Sequence, residues 1–406
     1  TQGRKFKNRT SWRNWNVGGS MTRNTLIDRW ENALQSNYGT PSIQLIHGSG
    51  CEVWDESGKR YLDFLGGIAT TILGHAHPEI VKAVANQVAT LNHVSNFYAH
   101  PQILELAEKL KSLTGNESAR VFFANSGAEV NEAAIKLSRL TGRKRLVSCQ
   151  GSFHGRTIGA LSITGQSEKR EPFYPLLKRV SFAKFNDVKS LRKLVSSKTA
   201  AVFIEPIQGE KGVVPASKEF LQMAREITAE KGALLVIDAV QTGMGRTGEW
   251  FGFEFSGITP DVITLAKGLG GGLPIGAMIA VGAAAKLFTP GSHGSTFGGN
   301  PIAAASANAT INVISSQNLL SRNFHKGEWI KAELKELDSV KEMRGSGLLI
   351  GCVLNDSRAK EITLKLQEKG FLVNAAAPDV IRIAPAYVVS DSEIEQFLRA
   401  MKEVLS

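Results

Sequence analysis

Two residues at the ends of largely apolar runs could support chemistry on an aldehyde or an amine. Lys267 follows the run 263–266 and precedes a glycine-rich turn, while Asp238 closes the run 233–237. A lysine can form an imine with an aldehyde, and a carboxylate can keep a pyridinium nitrogen protonated. Pyridoxal phosphate chemistry needs these two protein groups most, so the pair indicates a catalytic site for that cofactor.

The residues just after Asp238 extend the predicted site. Side chains alternate between the two faces of a strand, so Asp238 and Val240 share one face. Asp238 could then meet a ring nitrogen while Val240 packs against the ring, and Gln241, beyond the strand end, could reach a ring hydroxyl. Because an unpaired buried charge is costly, we expect Asp238 to have a cationic partner or a cap to satisfy.

A phosphate site is predicted where an apolar run meets a helix. Ser126, Gly127 and Ala128 lie between the run 121–123 and a helix that starts near residue 128. The free N–H groups and positive dipole end of a helix N-terminus attract phosphate. Ser126 could add a hydrogen bond to the phosphate or could simply cap the helix, and the presence of Lys267 favours the phosphate interpretation.

Two further loops offer contacts for a ligand. Phe153 and Arg156 follow the apolar run 146–148, and turns after parallel strands gather at the edge where open α/β folds bind ligands. Phe153 could stack on a heteroaromatic ring and Arg156 could clamp a carboxylate; a core aromatic and a solvent-exposed arginine are the alternatives. Ser295 and Thr296, in a glycine-rich loop, could donate hydrogen bonds to phosphate or substrate.

A charge pair is predicted between Glu210 and Arg382. Arg382 interrupts the apolar run 380–384, and a buried unpaired arginine is costly, so it should have a carboxylate partner. That partner could be Glu210, the substrate, or each in turn. Taken alone, Glu210 could equally be a solvated loop acid, whereas beside a cationic substrate site it could select charge.

Helical segments alternate with short apolar runs from about residue 77 onward. The predicted helices are 79–89, 101–113, 128–141, 217–231 and 301–315, and the apolar runs are 121–123, 146–148, 200–204, 233–237, 262–265 and 277–281. This alternation predicts a mostly parallel sheet covered by helices on both faces. The flanking elements are a helix at 22–36, strands at 42–46, 51–55 and 61–65, a helix near 318–338, strands at 348–354, 371–374 and 380–384, and a helix at 391–405.

The length and hydrophobic content predict two closely joined domains. With 406 residues, 42% of them hydrophobic, the chain can bury a large core. We expect a leader at 1–20, an N-terminal segment at 21–75 that joins the small domain, a large α/β domain at 76–315 and a smaller α+β domain at 316–406.

Charge and cysteine content narrow the function classes. The net charge is +11, but five of the positive charges lie in residues 1–20, which we expect to be an expression remnant; a mitochondrial or plastid presequence has the same composition. Outside that segment no basic stripe alternates with aromatics and no uncharged apolar stretch is long enough for a membrane span, so neither nucleic acid nor membrane is a predicted partner. Three widely spaced cysteines suit the cytoplasm and predict neither a disulfide framework nor a metal site.

Six motifs resemble those of the class III, ornithine-type aminotransferases, which have the aspartate aminotransferase fold (fold type I of the pyridoxal-phosphate enzymes). The resemblance runs from about Tyr38 to the C-terminus and is closest to the bacterial acetylornithine branch. The motifs are Leu73-Gly74-His75-Ala76-His77-Pro78, Asn125-Ser126-Gly127-Ala128-Glu129, Phe153-His154-Gly155-Arg156-Thr157, Glu205-Pro206-Ile207-Gln208-Gly209-Glu210, Leu265-Ala266-Lys267-Gly268 and Ser295-Thr296-Phe297-Gly298-Gly299-Asn300-Pro301.

The resemblance implies roles for the cofactor residues. Lys267 would hold pyridoxal 5'-phosphate as an imine and then move the proton, and Asp238 would pair with the pyridinium nitrogen. The other contacts would be Phe153 and Val240 on the ring, Gln241 near the ring oxygen, Ser126, Gly127 and Ala128 at the phosphate, and Thr296 at the phosphate from the neighbouring subunit of a homodimer.

The resemblance also implies substrate contacts. Arg156 would grip the acetylornithine carboxylate or the distal carboxylate of glutamate. Arg382 would bind the α-carboxylate of glutamate or 2-oxoglutarate, and Glu210 would mask Arg382 when the other substrate is bound. Ser295 would touch the substrate, and Tyr38 is a further candidate for a carboxylate contact.

The implied reaction is a ping-pong transfer of the 5-amino group of N2-acetylornithine to 2-oxoglutarate. The alternatives are ornithine, succinylornithine, 4-aminobutyrate or lysine as donor, a decarboxylase or racemase with the same cofactor, and a non-catalytic nucleic-acid-binding protein. The family usually shows Asp-Glu-Val-Gln where this chain has Ala239. Because residue 239 points away from Asp238, we expect the loss of a hydrogen bond behind the site and not the loss of chemistry.

Overall fold

The computed structural model describes residues 26–406, so the predicted leader at 1–20 lies outside the described residues. The strands there are β1 Leu45–Ser49, β2 Glu52–Asp55, β3 Arg60–Asp63, β4 Arg120–Ala124, β5 Arg145–Cys149, β6 Val180–Ala183, β7 Thr199–Ile204, β8 Ile207–Gln208, β9 Val214–Pro215, β10 Leu234–Asp238, β11 Val262–Leu265, β12 Gly276–Ala280, β13 Val340–Ser346, β14 Leu349–Leu354, β15 Phe371–Leu372, β16 Asn374–Ala377 and β17 Val380–Ile383. The helices are α1 Leu26–Ala33, α2 Gly66–Ala69, α3 Pro78–Thr90, α4 Pro101–Leu113, α5 Gly127–Arg139, α6 Ile158–Ile163, α7 Ser167–Arg170, α8 Val188–Leu194, α9 Lys218–Lys231, α10 Pro301–Ser316, α11 Leu319–Lys335, α12 Ala359–Glu368 and α13 Asp391–Leu405. Within the same range, no helix has the length and apolar character that crossing a bilayer requires.

A seven-stranded sheet in the order β4-β12-β11-β10-β7-β5-β6 forms the centre of the molecule. The five strands from β11 to β6 are mutually parallel, and β12 runs antiparallel to both of its neighbours. The predicted mostly parallel sheet is therefore confirmed. Parallel strands are buried on both faces, which is why β7, β10 and β11 were visible in the sequence as apolar runs.

Helices cover both faces of this sheet, as predicted. Along β10, Leu235 and Ile237 join one core cluster, which includes Leu221 of α9, while Val236 joins a second cluster with Val130 of α5. Successive strand residues point to opposite faces, so each face buries its own set of apolar side chains. The sheet is held rigidly between two layers, and its carboxyl edge is free to carry a site.

Two smaller sheets lie beside the central one. The strands β13, β14, β17 and β16 form an antiparallel sheet in that order, and β1, β2 and β3 pair with β15 from the C-terminal part of the chain. Phe64, just after β3, stacks on Phe397 of α13 with ring centroids 4.1 Å apart. The N-terminal strands thus pack on the C-terminal residues, although the predicted domain boundaries themselves remain a prediction.

Several predictions of element position were wrong where burial is weak. The strand predicted at 42–46 forms instead as β1, whose residues are mostly exposed, and the helix predicted at 22–36 spans only α1 among the described residues, with no buried side chain. The strand β6 was not predicted, because as an edge strand it is only partly buried and shows no apolar run. Periodicity marks burial, so elements without burial leave a weak signal.

Candidate active site

The carboxyl ends of the parallel strands meet around one cavity of about 420 Å³. Each of β4, β5, β7, β10 and β11 contributes a lining residue from its carboxyl end or from the turn that follows it, in that order Ser126, Phe153, Glu205, Asp238 and Lys267. Ligands of open α/β sheets bind at this edge. The sheet therefore brings together residues that are as much as 141 positions apart in the chain (Ser126 to Lys267).

The turn after β4 presents the start of α5 to the cavity. Ser126 Oγ accepts a hydrogen bond from Glu129 N–H at 3.2 Å and so caps the helix. The amides of Gly127 and Ala128 lie in the first helical turn, where N–H groups lack acceptors within the helix. A Cβ on Gly127 would come within 2.8 Å of Val240 Cγ1, so only glycine fits this close approach. The turn can thus bind an anion next to the end of β10.

Asp238 is buried but fully engaged in hydrogen bonds. Asn131 Nδ2 donates to Asp238 Oδ2 at 2.7 Å, and His154 Nδ1 lies 2.7 Å from the same oxygen. The Val240 N–H donates to Asp238 Oδ1 at 3.0 Å, and Thr264 Oγ1 donates to Asn131 Oδ1 at 3.0 Å. The prediction that this carboxylate needs partners is confirmed. An ionised carboxylate only accepts, so His154 must carry its proton on Nδ1, and the carboxylate is fixed in one orientation.

Lys267 presents an amine without a partner. Its backbone has a φ of 40°, in the left-handed region that a residue with a side chain rarely adopts. Among the described residues, no side chain donates to or accepts from its amine. Burial lowers the pKa of Lys267 below the ordinary lysine value, against the opposing charge of Glu210. A lower pKa increases the share of neutral amine, which is the form that attacks an aldehyde.

Glu205 anchors the loop that carries Phe153. The Glu205 side chain is buried, and its Oε2 accepts the Phe153 N–H at 2.9 Å. Burial, and next the charge of Asp238, raise the pKa of Glu205 well above its ordinary value. Asp238, in contrast, has hydrogen-bond donors for both of its oxygens.

Glu210 and Arg382 form a salt bridge at the cavity. Arg382 Nη1 lies 2.6 Å from Glu210 Oε1, and Arg382 Nε donates to Asn374 Oδ1 at 3.0 Å. Burial alone would raise the pKa of Glu210, but the Arg382 guanidinium outweighs it and lowers that pKa. The Arg382 side chain is 1% exposed and that of Glu210 is 30% exposed. The predicted pair is therefore present, with a fixed arginine and a carboxylate that has access to solvent.

The comparisons with known proteins agree with this geometry. Residues 34–405 match the family model of the aminotransferases of class III. The chain is 51% identical over 392 residues to the acetylornithine aminotransferase of Mycobacterium tuberculosis, which covers 96% of this chain and 98% of that protein. The chain belongs to the class III aminotransferase family. The enzyme accordingly depends on pyridoxal phosphate, and its substrates are small amino acids and oxo acids.

Two solved structures show the same fold for this aminotransferase. The N-acetylornithine aminotransferase of Stenotrophomonas maltophilia is 35% identical, with a TM-score of 0.78, and the match covers 89% of this chain and 95% of that one. An ornithine aminotransferase of Toxoplasma gondii with partial occupancy of pyridoxal phosphate at its active site is 30% identical, with a TM-score of 0.87 and 92% of each chain covered. The fold expected from the resemblance is thus confirmed.

The cavity of this aminotransferase fits the cofactor. Gln241 Oε1 is buried and has no hydrogen-bond partner among the described residues, which leaves it free for a ring hydroxyl. The cavity also holds the unpartnered Lys267 amine, the Asp238 carboxylate and the anion-binding start of α5. An orphaned polar atom, a nucleophilic amine, a carboxylate and an anion site match the hydroxyl, aldehyde, ring nitrogen and phosphate of pyridoxal phosphate.

Three predicted contacts lie at the edge of the cavity or away from it. Ser295 Oγ accepts hydrogen bonds from Gly298 N–H at 3.0 Å and Asn125 Nδ2 at 3.2 Å, which places it beside a lining residue. Thr296 is exposed and does not line the cavity of its own chain. Tyr38 is 74% exposed and is not brought to the cavity, so its predicted substrate contact has no support from this arrangement.

Sequence reasoning missed the residues that hold Asp238 in place. Asn131 lies on α5 one turn after Gly127, and His154 stands inside a motif whose other members were assigned roles. The signal that could have found them is the unpaired buried carboxylate itself, which requires donors nearby. Ala239 is fully buried in the core and donates nothing to the Asp238 carboxylate, so the departure at this position leaves these hydrogen bonds intact.

Replacing Arg382 by glutamine is expected to weaken selectively the binding of glutamate and of 2-oxoglutarate. A charge-assisted hydrogen bond contributes about 1.5–3 kcal/mol, so KM for either should rise by about 10- to 100-fold. The measurement is steady-state kinetics of both half-reactions. The matched variant Glu210→Gln keeps the Arg382 guanidinium and should not weaken the binding of 2-oxoglutarate. Equal losses in the two variants would contradict a role for Arg382 in carboxylate binding.

Proposed function

We propose that the enzyme transfers the 5-amino group of N2-acetylornithine to 2-oxoglutarate, giving N-acetylglutamate 5-semialdehyde and glutamate, as a step of arginine biosynthesis. The observation that carries this proposal is the salt bridge from the buried Arg382 to Glu210, which lines the cavity that holds the Lys267 amine. Such a pair suits two substrates that use the same cavity in turn, one with a carboxylate next to the reacting carbon and one without it. Relatives named acetylornithine aminotransferase, at about half identity over nearly the full chain, support this donor.

Different residues of the cavity would contact different parts of the cofactor. When bound, pyridoxal phosphate supplies an electron-accepting ring that stabilises the negative charge formed at the substrate carbon. Asp238 would hold the proton on the ring nitrogen, and Phe153 and Val240 would contact the ring. The amides of Gly127 and Ala128, with Ser126, would bind the phosphate, and Gln241 would bind the ring hydroxyl.

Lys267 would move a proton from the reacting carbon of the substrate to the carbon of the cofactor that receives it. Its amine is unpartnered and its pKa is lowered by burial, so it can accept a proton from the substrate carbon and donate it again within the cavity. The short turn after β11 fixes the position of the backbone from which the side chain reaches. A proton held by one side chain avoids exchange with bulk water during the transfer.

Glu210 and Arg382 distinguish the two substrates. Glutamate and 2-oxoglutarate carry a carboxylate next to the reacting carbon, which replaces Glu210 on Arg382. The 5-amino carbon of acetylornithine carries no carboxylate, so Glu210 stays on Arg382 and satisfies its buried charge. Arg156 binds the carboxylate at the far end of either substrate, and Ser295 contacts the substrate at the cavity edge.

A homodimer would complete the phosphate site. Thr296 is exposed and lies outside the cavity of its own chain, which supports a role for it in the cavity of a neighbouring subunit. The same loop carries Phe297, which is 58% exposed and would be buried by such a contact. The bacterial origin of the relatives supports the cytoplasm as the compartment.

The donor is tested by comparing amines with 2-oxoglutarate as the common acceptor. We expect kcat/KM for N2-acetylornithine to exceed that for succinylornithine, ornithine, 4-aminobutyrate and lysine by about 10-fold or more, because one lost polar or apolar contact costs about 1–3 kcal/mol. Glutamate formation and carbon dioxide release are measured together. A higher value for another amine would replace the donor, and carbon dioxide without glutamate would contradict transamination.

A further inference from the structure

Two cations from different elements converge on the ring of Phe153. The Arg156 guanidinium carbon lies 5.6 Å from the ring centroid, and Lys169 Nζ lies 5.7 Å from it. Arg156 belongs to the loop after β5, whereas Lys169 belongs to α7. Phe153, Arg156 and Glu210 line the cavity, so the half-buried Lys169 stands at the border of the substrate site.

Neither cation has a counterion among the residues that the structure describes. Within residues 26–406, no carboxylate forms an ion pair with Arg156 or Lys169, and the amine of Lys169 donates only to Gln166 Oε1. Glu210 is already paired with Arg382. Two neighbouring positive charges without an anion repel each other, and contact with an aromatic ring offsets only part of this. This arrangement is typical of a site that is completed by an anionic ligand.

The charge environment of Lys169 agrees with this view. Burial lowers the pKa of Lys169, the charge of Glu210 opposes this, and the charge of Arg156 lowers it further. An incoming carboxylate would neutralise the repulsion between the two cations. Lys169 contributes little to the fold, because its charged end makes one hydrogen bond, to Gln166, and otherwise lies over the Phe153 ring.

We propose that Lys169, together with Arg156, binds the distal carboxylate of the dicarboxylic substrate, and that Lys169 is therefore a specificity-determining residue. This inference rests on the proposed function, in which 2-oxoglutarate and glutamate are substrates. With Arg382 at the α-carboxylate, a five-carbon diacid is held at both ends across Phe153. A lysine supplies a mobile point charge beside the planar guanidinium, so the two cations can share one carboxylate.

The test uses the cofactor-loaded enzyme with Lys169→Met, Lys169→Arg and a control, Lys178→Met. Methionine keeps the apolar stem of the lysine against Phe153, and Lys178 is an exposed lysine without an ion pair. KM and kcat are measured with 2-oxoglutarate and with 2-oxopentanoate, which has the same carbon chain but no distal carboxylate. The affinity for glutarate, measured by calorimetry, adds a readout that does not depend on turnover.

We expect Lys169→Met to raise KM for 2-oxoglutarate and Kd for glutarate by about 10-fold, with kcat and KM for 2-oxopentanoate within twofold of the unsubstituted enzyme. Lys169→Arg should restore most of the affinity, and Lys178→Met should change nothing. An equal change for the two oxo acids, or an unchanged affinity for glutarate, overturns the role of Lys169. If the unsubstituted enzyme formed no glutamate from 2-oxoglutarate, the proposed function would fail instead.

Discussion

Replacing Lys267 by alanine is expected to reduce kcat by about 10⁴-fold or more, because the same amine attaches the cofactor and carries the proton. In this cavity no other described amine can substitute, since Lys267 is the lysine among the lining residues. The measurement is single-turnover conversion of acetylornithine, followed by rapid mixing. Borohydride treatment of the loaded protein should fix pyridoxal phosphate to Lys267 and to no other residue.

Two control variants separate chemistry from folding in this experiment. Lys267→Arg keeps a positive charge but offers no amine that forms a stable imine, so it should be as inactive as the alanine variant. Lys286→Ala removes an exposed lysine that does not line the cavity and should leave turnover unchanged. Thermal unfolding of all three should be similar. A covalent label that persists in Lys267→Ala would show that another residue holds the cofactor.

The residues that touch ligands were predictable because they follow buried strands. Asp238 is the last residue of β10 and Lys267 follows the end of β11 by two positions; the apolar runs of both strands are visible in the sequence, and the carboxyl edge of a parallel sheet collects such ends. The anion-binding turn at Gly127 follows from the same rule. Strand burial and the direction of the sheet were sufficient to place these residues in one cavity.

The residues that orient them were less predictable, because their role depends on distant pairing. Asn131 meets Asp238 across 107 positions of sequence, and Glu205 meets the Phe153 loop across 52. Lys169 lies in a charged stretch that is typical of a solvated helix, and only the fold shows that its amine lacks an acid and faces Phe153. Local patterns specify elements, whereas the hydrogen bonds between elements require the arrangement of the layers.

Asp238→Asn is expected to lower kcat/KM by about 10³-fold while the protein stays folded. Asparagine keeps the size and one acceptor oxygen, and with that oxygen at the position of Oδ2 both Asn131 Nδ2 and His154 Nδ1 can still donate to it, although the Val240 N–H loses its acceptor. What is lost is the negative charge that holds the proton on the ring nitrogen. The matched variant Asp238→Ala removes the acceptor of the Val240 N–H and of two buried side-chain donors, Asn131 and His154, and should lower the free energy of unfolding by about 1–3 kcal/mol for each buried donor.

The neighbouring acid Glu205 provides a second test of the charge of Asp238. Burial and the charge of Asp238 raise the pKa of Glu205, so removing that charge should lower this pKa and allow Glu205 to ionise more readily. Residual activity in Asp238→Asn should therefore rise with pH and should disappear in the double variant Asp238→Asn/Glu205→Gln. The pH profiles of kcat/KM for both variants give the measurement, with Glu205→Gln alone as control. If kcat/KM of Asp238→Asn stayed within 10-fold of that of the unsubstituted enzyme at every pH, the role assigned to Asp238 would be contradicted. The charge of this carboxylate, which three hydrogen bonds hold in place, would then have no electrostatic role.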